Sequence, residues 1–361
     1  MNVVFRTDAS TALGSGHVTR CLTLAETLRA HGARVCFVCR SGEGDLSDSI
    51  AARGFIVLRL AVAASDGSER SASCAPLGAG WQEDATQTQA AIHAAGEEPD
   101  WLVVDHYALD RRWELVLRSL SRRIMVIDDL ADRPHDCDLL LDQNFDNPLH
   151  ARYTRLLPAD ARTLLGTQFA LVRPEFARHR PSALARRSGQ LRRVLVSMGG
   201  TDPGNDTAVA LAGLARQAAD GVALDVVIGA GNPHRPAIRR ACEDIPTAEL
   251  HIQTSRMAEL MTRADLAVSA GGSTTWERCV LGMPAIVTIQ SEDQAPIAEA
   301  VQGIGGQRVL GWSKDLAAQD YARALRALTA DELLRMSEIS ATLCDGEGAE
   351  RVATHLLDWS P

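Results

Sequence analysis

The chain has 361 residues, nearly half of them hydrophobic, with 37 basic and 46 acidic side chains and a net charge of −9. That length exceeds one ordinary core and predicts two domains of a globular protein. The acidic balance excludes a general basic field for nucleic acid, so an anionic ligand needs a local site. No apolar run reaches the roughly 18 residues of a membrane span, so no stable membrane association is expected.

Val3-Val4-Phe5 reads as a first buried strand. Its flank carries Arg6 and Asp8, which is not signal-peptide chemistry. Gly14-Ser15-Gly16-His17 then leads into an amphipathic helix running from His17 to Ala30 and ended by Gly32. A strand, a glycine turn and a helix start form a place where backbone N–H groups face an anion. His17 at its rim is a side chain that exchanges a proton near neutral pH, or else a plain helix cap.

Val35–Val38 and Phe55–Leu60 read as the next strands. The Ser/Ala/Gly-rich stretch Ala63–Gly80 reads as a long loop, and a helix is expected around Asp84–Ala95. Three short apolar strands follow, each ending in polar residues. They are Trp101–Val104 before Asp105-His106-Tyr107, Ile124–Ile127 before Asp128-Asp129, and Leu139–Leu141 before Asp142-Gln143-Asn144. In open parallel sheets ligands bind outside such edges. Asp128-Asp129 has the composition of a metal pair, but neighbours on a strand end diverge, so no metal is expected.

Gly166–Arg193, broken by Arg173-Pro174, Arg180-Pro181 and Arg186-Arg187, reads as an interdomain connection. A second alternating block begins at Val194–Ser197, before Gly199-Gly200-Thr201, with a helix to about Gln217. Strands at Leu224–Ile228, Leu250–Ile252, Leu266–Val268 and Ala285–Ile289 follow, with a short helix from Met257. The tail from Tyr321 reads as helical. The pattern predicts an α/β protein of two parallel-sheet domains, 1–175 and 176–345, with a last helix in 346–361.

Eight cysteines show no disulfide framework. Cys36 and Cys39 have clamp-like spacing but lie on a strand, where residues three apart face opposite ways. They read as small buried hydrophobes of a cytoplasmic protein. Histidines 31, 93, 135, 150, 179, 234, 251 and 355 read as surface residues.

Ser269-Ala270-Gly271-Gly272-Ser273-Thr274-Thr275 offers the best phosphate turn. Two glycines admit a close ligand, and hydroxyl residues stand where a helix begins with unpaired N–H groups. The stretch lacks the Gly-Lys-Ser/Thr ending of a P-loop, and a ligand-free strand–helix turn fits the same residues. Glu277 suits the two hydroxyls of a ribose, or a favourable charge in the first helical turn. Gly199-Gly200-Thr201 makes a second glycine turn, and two in one domain favour a nucleotide diphosphate.

Motifs throughout the chain carry a family resemblance: Arg6-x-Asp8-Ala9-Ser10, Gly14-x-Gly16-His17-Val18-x-Arg20-Cys21-Leu22, Asp105-His106-Tyr107, Ile127-Asp128-Asp129-Leu130-Ala131, Leu141-Asp142-Gln143-Asn144, Gly199-Gly200-Thr201-Asp202 and Ser269-Ala270-Gly271-Gly272-Ser273-Thr274. In these the chain resembles the UDP-sugar hydrolases of pseudaminic acid biosynthesis, which release UDP from UDP-2,4-diacetamido-2,4,6-trideoxy-β-L-altropyranose. Its second half is similar to the UDP-binding half of the peptidoglycan N-acetylglucosaminyltransferase.

The resemblance implies a GT-B-like fold of two Rossmann-type domains facing a cleft, and a C-terminal helix crossing back to the first. It implies a metal-free, cofactor-free hydrolysis of the anomeric C–O bond with inversion, His17 acting as the base on water. Arg6, Asp8, Gly14, Gly16, Arg20, Asp105, His106, Tyr107 and Asn144 are then the expected sugar-side residues. Gly199, Gly200, Thr201, Met257, Gly271, Gly272, Ser273, Thr274, Glu277 and Gln294 are the expected UDP-side residues.

Asp8 is read either as orienting His17 or as capping the turn. His106 is the second candidate base, and Gln143 and Asn144 suit amide groups of the sugar. Glu292-Asp293-Gln294 stands where relatives have Glu-Asn-Gln. The expected partner is a small-molecule UDP-sugar, and the expected state a monomer. A glycosyltransferase or a non-catalytic nucleotide-sugar binder on the same fold are the competing readings.

Overall fold

A computed structural model describes residues 1–10, 13–61, 80–145 and 149–359. Apart from Gly80, the loop read at Ala63–Gly80 lies outside the described residues. The chain forms two compact units, Met1–Leu171 with Glu347–Pro361, and Val172–Gly346.

The first unit is built on β1 (Asn2–Thr7), α1 (Gly16–Ala30), β2 (Arg34–Arg40), α2 (Ser47–Ala52), β3 (Ile56–Leu60), α3 (Trp81–Ala94), β4 (Trp101–Asp105), α4 (Arg111–Leu117), β5 (Arg123–Ile127), β6 (Leu139–Asp142), α5 (Leu149–Tyr153) and β7 (Arg162–Leu165). Its seven strands lie in the order β3-β2-β1-β4-β5-β6-β7, all parallel. Both faces are covered, which is why the strands are apolar runs and not alternating ones. Val3, Phe5 and Trp101 belong to one core and Val4, Leu102 and Trp113 to the other. Cys36 and Cys39 fall in opposite cores, as strand spacing requires.

The second unit comprises α6 (Pro174–Arg186), β8 (Arg193–Ser197), α7 (Asp206–Ala219), β9 (Ala223–Ile228), α8 (Arg235–Glu243), β10 (Ala248–Ile252), α9 (Met257–Arg263), β11 (Leu266–Ala270), α10 (Thr274–Val280), β12 (Ala285–Ile289), α11 (Gln294–Gly303), β13 (Arg308–Trp312), α12 (Ala318–Arg326) and α13 (Ala330–Leu343). Its six parallel strands run β10-β9-β8-β11-β12-β13. The last helix, α14 (Gly348–Leu357), belongs to the first unit. Its Val352, Ala353 and Leu356 join the core of Phe5 and Trp101, and Trp101 Nε1 donates to Leu356 O at 3.2 Å.

Each sheet reverses its winding once, between β1 and β4 and between β8 and β11. Strand ends at such a switch point diverge and leave a crevice for a ligand. In the first unit Thr7 pairs with Asp105 there; in the second, Ser197 pairs with Ser269. The histidine-bearing turn and both glycine turns of the second unit leave from these strands.

The interdomain reading of Gly166–Arg193 is corrected. Most of that stretch is β8's lead-in helix α6, with Phe176 and Ala183 buried. Its arginines serve the unit's helix ends: Arg180 donates to Val280 O, Ala341 O and Cys344 O, and Arg187 to Met261 O, Ala264 O and Leu281 O. Last-turn carbonyls lack intrahelical partners, so cations there satisfy them. The surface reading of His135 is also corrected, since it is buried with Nδ1 at 2.6 Å from Glu114.

Candidate functional site

In the first unit, α1 follows directly on the turn after β1, so His17 stands one residue into the helix at the switch point. Gly14 takes φ +73°, a left-handed conformation that favours glycine, and its N–H donates to Ser10 O at 2.9 Å. Three residues after His17, one turn along, Arg20 lies on the same face of α1.

Both side chains meet Asp105 at the end of β4. His17 Nδ1 lies 2.6 Å from Asp105 Oδ1, while Arg20 donates through Nε to Oδ2 and through Nη2 to Oδ1, each at 2.7 Å. Cys21 Sγ adds a longer bond to Oδ2 at 3.4 Å. Burial pushes the Asp105 carboxyl up, but Arg20 and His17 outweigh it and hold the group well below the usual carboxylate range. An ionised carboxylate only accepts, so His17 Nδ1 carries the hydrogen. In the neutral ring the lone pair therefore sits on Nε2. Tyr107 packs edge-on to the imidazole, with centroids 4.4 Å apart.

Asp129 extends the constellation. It accepts from Arg20 Nη1, Tyr107 and Asn144. Asp128 turns the other way, to Arg133, Tyr153 and the Ala131 N–H, so the two adjacent carboxylates do diverge. Asn144 Nδ2 bridges Asp129 and Asp142 at 2.7 and 3.0 Å. Gln143, read as suited to a sugar amide, instead accepts the Leu171 N–H at 3.0 Å and ties the chain where the first unit ends.

Arg6 and Asp8 lie in a second, buried network beside this one. Arg6 donates to both Asp8 and Asp84, Arg40 donates to Asp84, and Trp113 Nε1 adds a bond to Asp84 at 2.9 Å. Asp8 also accepts the Arg40 N–H at 2.7 Å. The reading of Asp8 as the partner of His17 is therefore corrected: Asp105 holds that place. His106 is buried, its Nδ1 accepts the Ala108 N–H, and its Nε2 lies 3.5 Å from Asp8. Burial lowers its pKa to about 4, so it is neutral at pH 7 and its one lone pair is in use. Of the two histidines considered as base, the free lone pair belongs to His17.

In the second unit, Gly271 and Gly272 follow β11, and Ser273 and Thr274 open α10. Gln294, at the start of α11, packs on both glycines and accepts the Gln290 N–H at 3.1 Å. Glu277 is held by Arg173, whose Nε and Nη2 both donate to Oε1 at 3.2 and 3.0 Å. Burial raises the Glu277 carboxyl and Arg173 opposes the rise. Gly199 and Gly200 are exposed beyond β8, and the Gly200 carbonyl accepts the Gly229 N–H at 3.0 Å. Gln290 Nε2 donates to Asp206, linking the β12 loop to the start of α7. Thr201 and Met257 are half-buried, Met257 opening α9.

The Gly199 turn does not lead to a vacant helix start. Asp202, at φ +42°, accepts the Asp206 and Thr207 N–H groups at 2.9 and 3.0 Å. The chain's own carboxylate thus occupies the position an anion would take at α7, which corrects the equivalence assumed for the two turns. Asp225, Glu249 and His251 also cluster within metal-binding distance of one another, but Arg193 and Arg263 already neutralise Asp225.

No protein-family model matches the chain. It is similar to the Bacillus subtilis spore coat polysaccharide biosynthesis protein SpsG, 30% identical over 207 residues, 55% of this chain and 59% of that protein. An uncharacterized Methanocaldococcus jannaschii protein is 23% identical over 301 residues, 81% of this chain and 57% of that one. The chain thus matches less than two thirds of the length of these two relatives. The Campylobacter jejuni UDP-2,4-diacetamido-2,4,6-trideoxy-β-L-altropyranose hydrolase is 25% identical over 286 residues, 78% of this chain and 89% of that enzyme. Among solved structures, Acinetobacter baumannii MurG superposes with a TM-score of 0.68 at 13% identity, covering 99% of each chain. The Neisseria meningitidis UDP-GlcNAc 2-epimerase bound to UDP-GlcNAc gives 0.60 at 14% identity, covering 99% of this chain and 100% of that one. These likenesses establish the GT-B-like fold class.

Proposed function

We propose that the chain hydrolyses a UDP-sugar, with UDP-2,4-diacetamido-2,4,6-trideoxy-β-L-altropyranose as substrate. The name of the Campylobacter relative supports the substrate, and the His17–Asp105 pair carries the chemistry. His17 Nε2 takes a proton from water as the water oxygen bonds to the anomeric carbon. The C–O bond to the β-phosphate breaks on the opposite side, UDP leaves with the electron pair, and the sugar is released with inverted configuration. Asp105 fixes the ring tautomer and stabilises the imidazolium that forms, the division of labour seen whenever a carboxylate backs a histidine base.

UDP is a weakly basic leaving group, so a strong general acid is not required. Backbone N–H groups aimed at the diphosphate carry much of the departure. Gly271, Gly272, Ser273, Thr274 and Gln294 are assigned to the diphosphate and Glu277 to the ribose. Tyr107 and the Asp129 cluster are assigned to the sugar. No helix among the described residues is long and apolar enough to cross a membrane, which agrees with a water-borne substrate.

The test is UDP release from the purified UDP-sugar with no acceptor present. Turnover that is abolished in His17→Asn supports the proposal. Release only on addition of a sugar or lipid acceptor would assign a transferase instead.

A further inference from the structure

Directly behind the Ser269–Thr275 turn lies a cation with no counterion in the protein. Arg278, on α10, is buried. Its Nη1 donates to Ser269 Oγ and to the Ala270 carbonyl at 3.2 Å, and its Nη2 to Thr275 Oγ1 and Gln307 Oε1, each at 3.0 Å. Every one of these acceptors is neutral. The neighbouring carboxylate, Glu277, is taken by Arg173. Arg6 and Arg20, the equally buried arginines of the first unit, each lie against two carboxylates.

A buried charge is costly unless an opposite charge accompanies it. Burial without such a partner lowers this guanidinium to about 10, so it stays charged at neutral pH. Its bonds reach both ends of the turn, Ser269 and Ala270 before the glycines and Thr275 after them. Between those ends, the Gly272 and Ser273 N–H groups donate to no acceptor among the described residues. The turn therefore presents open donors in front of an uncompensated positive charge.

We propose that Arg278 is a positioning residue for a diphosphate: it fixes the Gly271–Thr274 turn from behind and supplies the positive field that the ligand's phosphates, not a protein carboxylate, neutralise. The inference rests on the reading that this unit binds UDP. It adds a residue that never touches the ligand and whose effect is confined to the ligand's charged part.

Calorimetric titration of the full chain with UDP and with uridine tests it, in wild type, Arg278→Gln and Arg278→Lys. Gln keeps polar contacts without charge, and Lys keeps the charge. The expected result is a 10- to 100-fold loss of UDP affinity in Arg278→Gln, uridine affinity within twofold of wild type, and recovery of most of the UDP affinity in Arg278→Lys. UDP affinity unchanged in Arg278→Gln, or lost in parallel with that for uridine, overturns the inference while leaving the UDP site in place. A wild type that binds neither ligand overturns the underlying reading and the inference with it. Should Arg278→Gln not fold, Arg278→Met is the second variant. If it too yields no folded protein, Arg278 is scaffold and the inference fails.

Discussion

Replacing Asp105 by Asn tests the catalytic pair with little change of shape. The carboxylate accepts from His17 at 2.6 Å and twice from Arg20 at 2.7 Å. As His17 takes a proton from water, a unit positive charge develops about 4 Å from the carboxylate's negative one. At an effective dielectric of about 20 that attraction is worth roughly 4 kcal/mol, and a charge-assisted hydrogen bond is worth about 1.5–3 kcal/mol. These are two descriptions of one interaction, so the expected loss is about 2–4 kcal/mol of transition-state stabilisation, or roughly 30- to 1000-fold in kcat. An amide also offers an N–H toward Nδ1, which favours the wrong tautomer and places the effect in the upper part of that range. Arg20 retains Asp129 at 2.7 Å, so the variant should stay folded and KM should move by no more than about threefold. The assay is steady-state UDP release, with thermal unfolding run alongside. A folded Asp105→Asn protein with kcat within about threefold of wild type would refute the assignment.

Stability should depend on pH through two buried groups acting in opposite directions. Burial, with Asp129 beside it, raises Asp142 to about 6. The native state then holds an extra proton between about pH 4 and 6, and stability falls as pH rises through that window by about 3 kcal/mol. Asp142→Asn removes that penalty, so urea titrations should show it gaining stability relative to wild type at pH 8 compared with pH 4; a pH-independent difference would contradict this. His106, lowered to about 4, contributes stability that is present above about pH 6.5 and lost as pH falls toward 4. His106→Gln should flatten that acid limb. Asp202→Ala leaves two N–H groups of α7 without their cap and should cost about 1–2 kcal/mol, measured by the same titrations. A Cβ on Gly348 would stand 2.3 Å from the Ala170 carbonyl oxygen. Gly348→Ala should therefore destabilise α14 against the first unit by about 1–3 kcal/mol, read as a lower Tm.

The fold was legible where strands are buried on both faces. Runs such as Leu102–Val104 and Ala285–Ile289 have no polar positions to confuse them with surface helix, and the polar residues after them mark the sheet edge. The helix α6 was hidden because its arginines and Pro181 serve contacts that no local pattern records: they cap helices distant in sequence. The same limit applied at the site. His17 and Asp105 stand out as residues after a strand, but their pairing across 88 positions follows from the strand order that sets β4 beside β1. Asp8 was the nearer carboxylate in sequence, and Arg6 and the Arg40 N–H had already claimed it. Arg278 carried no signal at all, because a buried arginine without a carboxylate is recognisable only once its surroundings are known.

The most direct test of the central claim is a single turnover of the diacetamido UDP-sugar in oxygen-18 water, without acceptor, by wild type and by His17→Asn. The account predicts unlabelled UDP, one label on the anomeric carbon of the free sugar, and a rate at least 100-fold lower in the variant. Label in the β-phosphate of UDP, or an equal rate in both proteins, would contradict it.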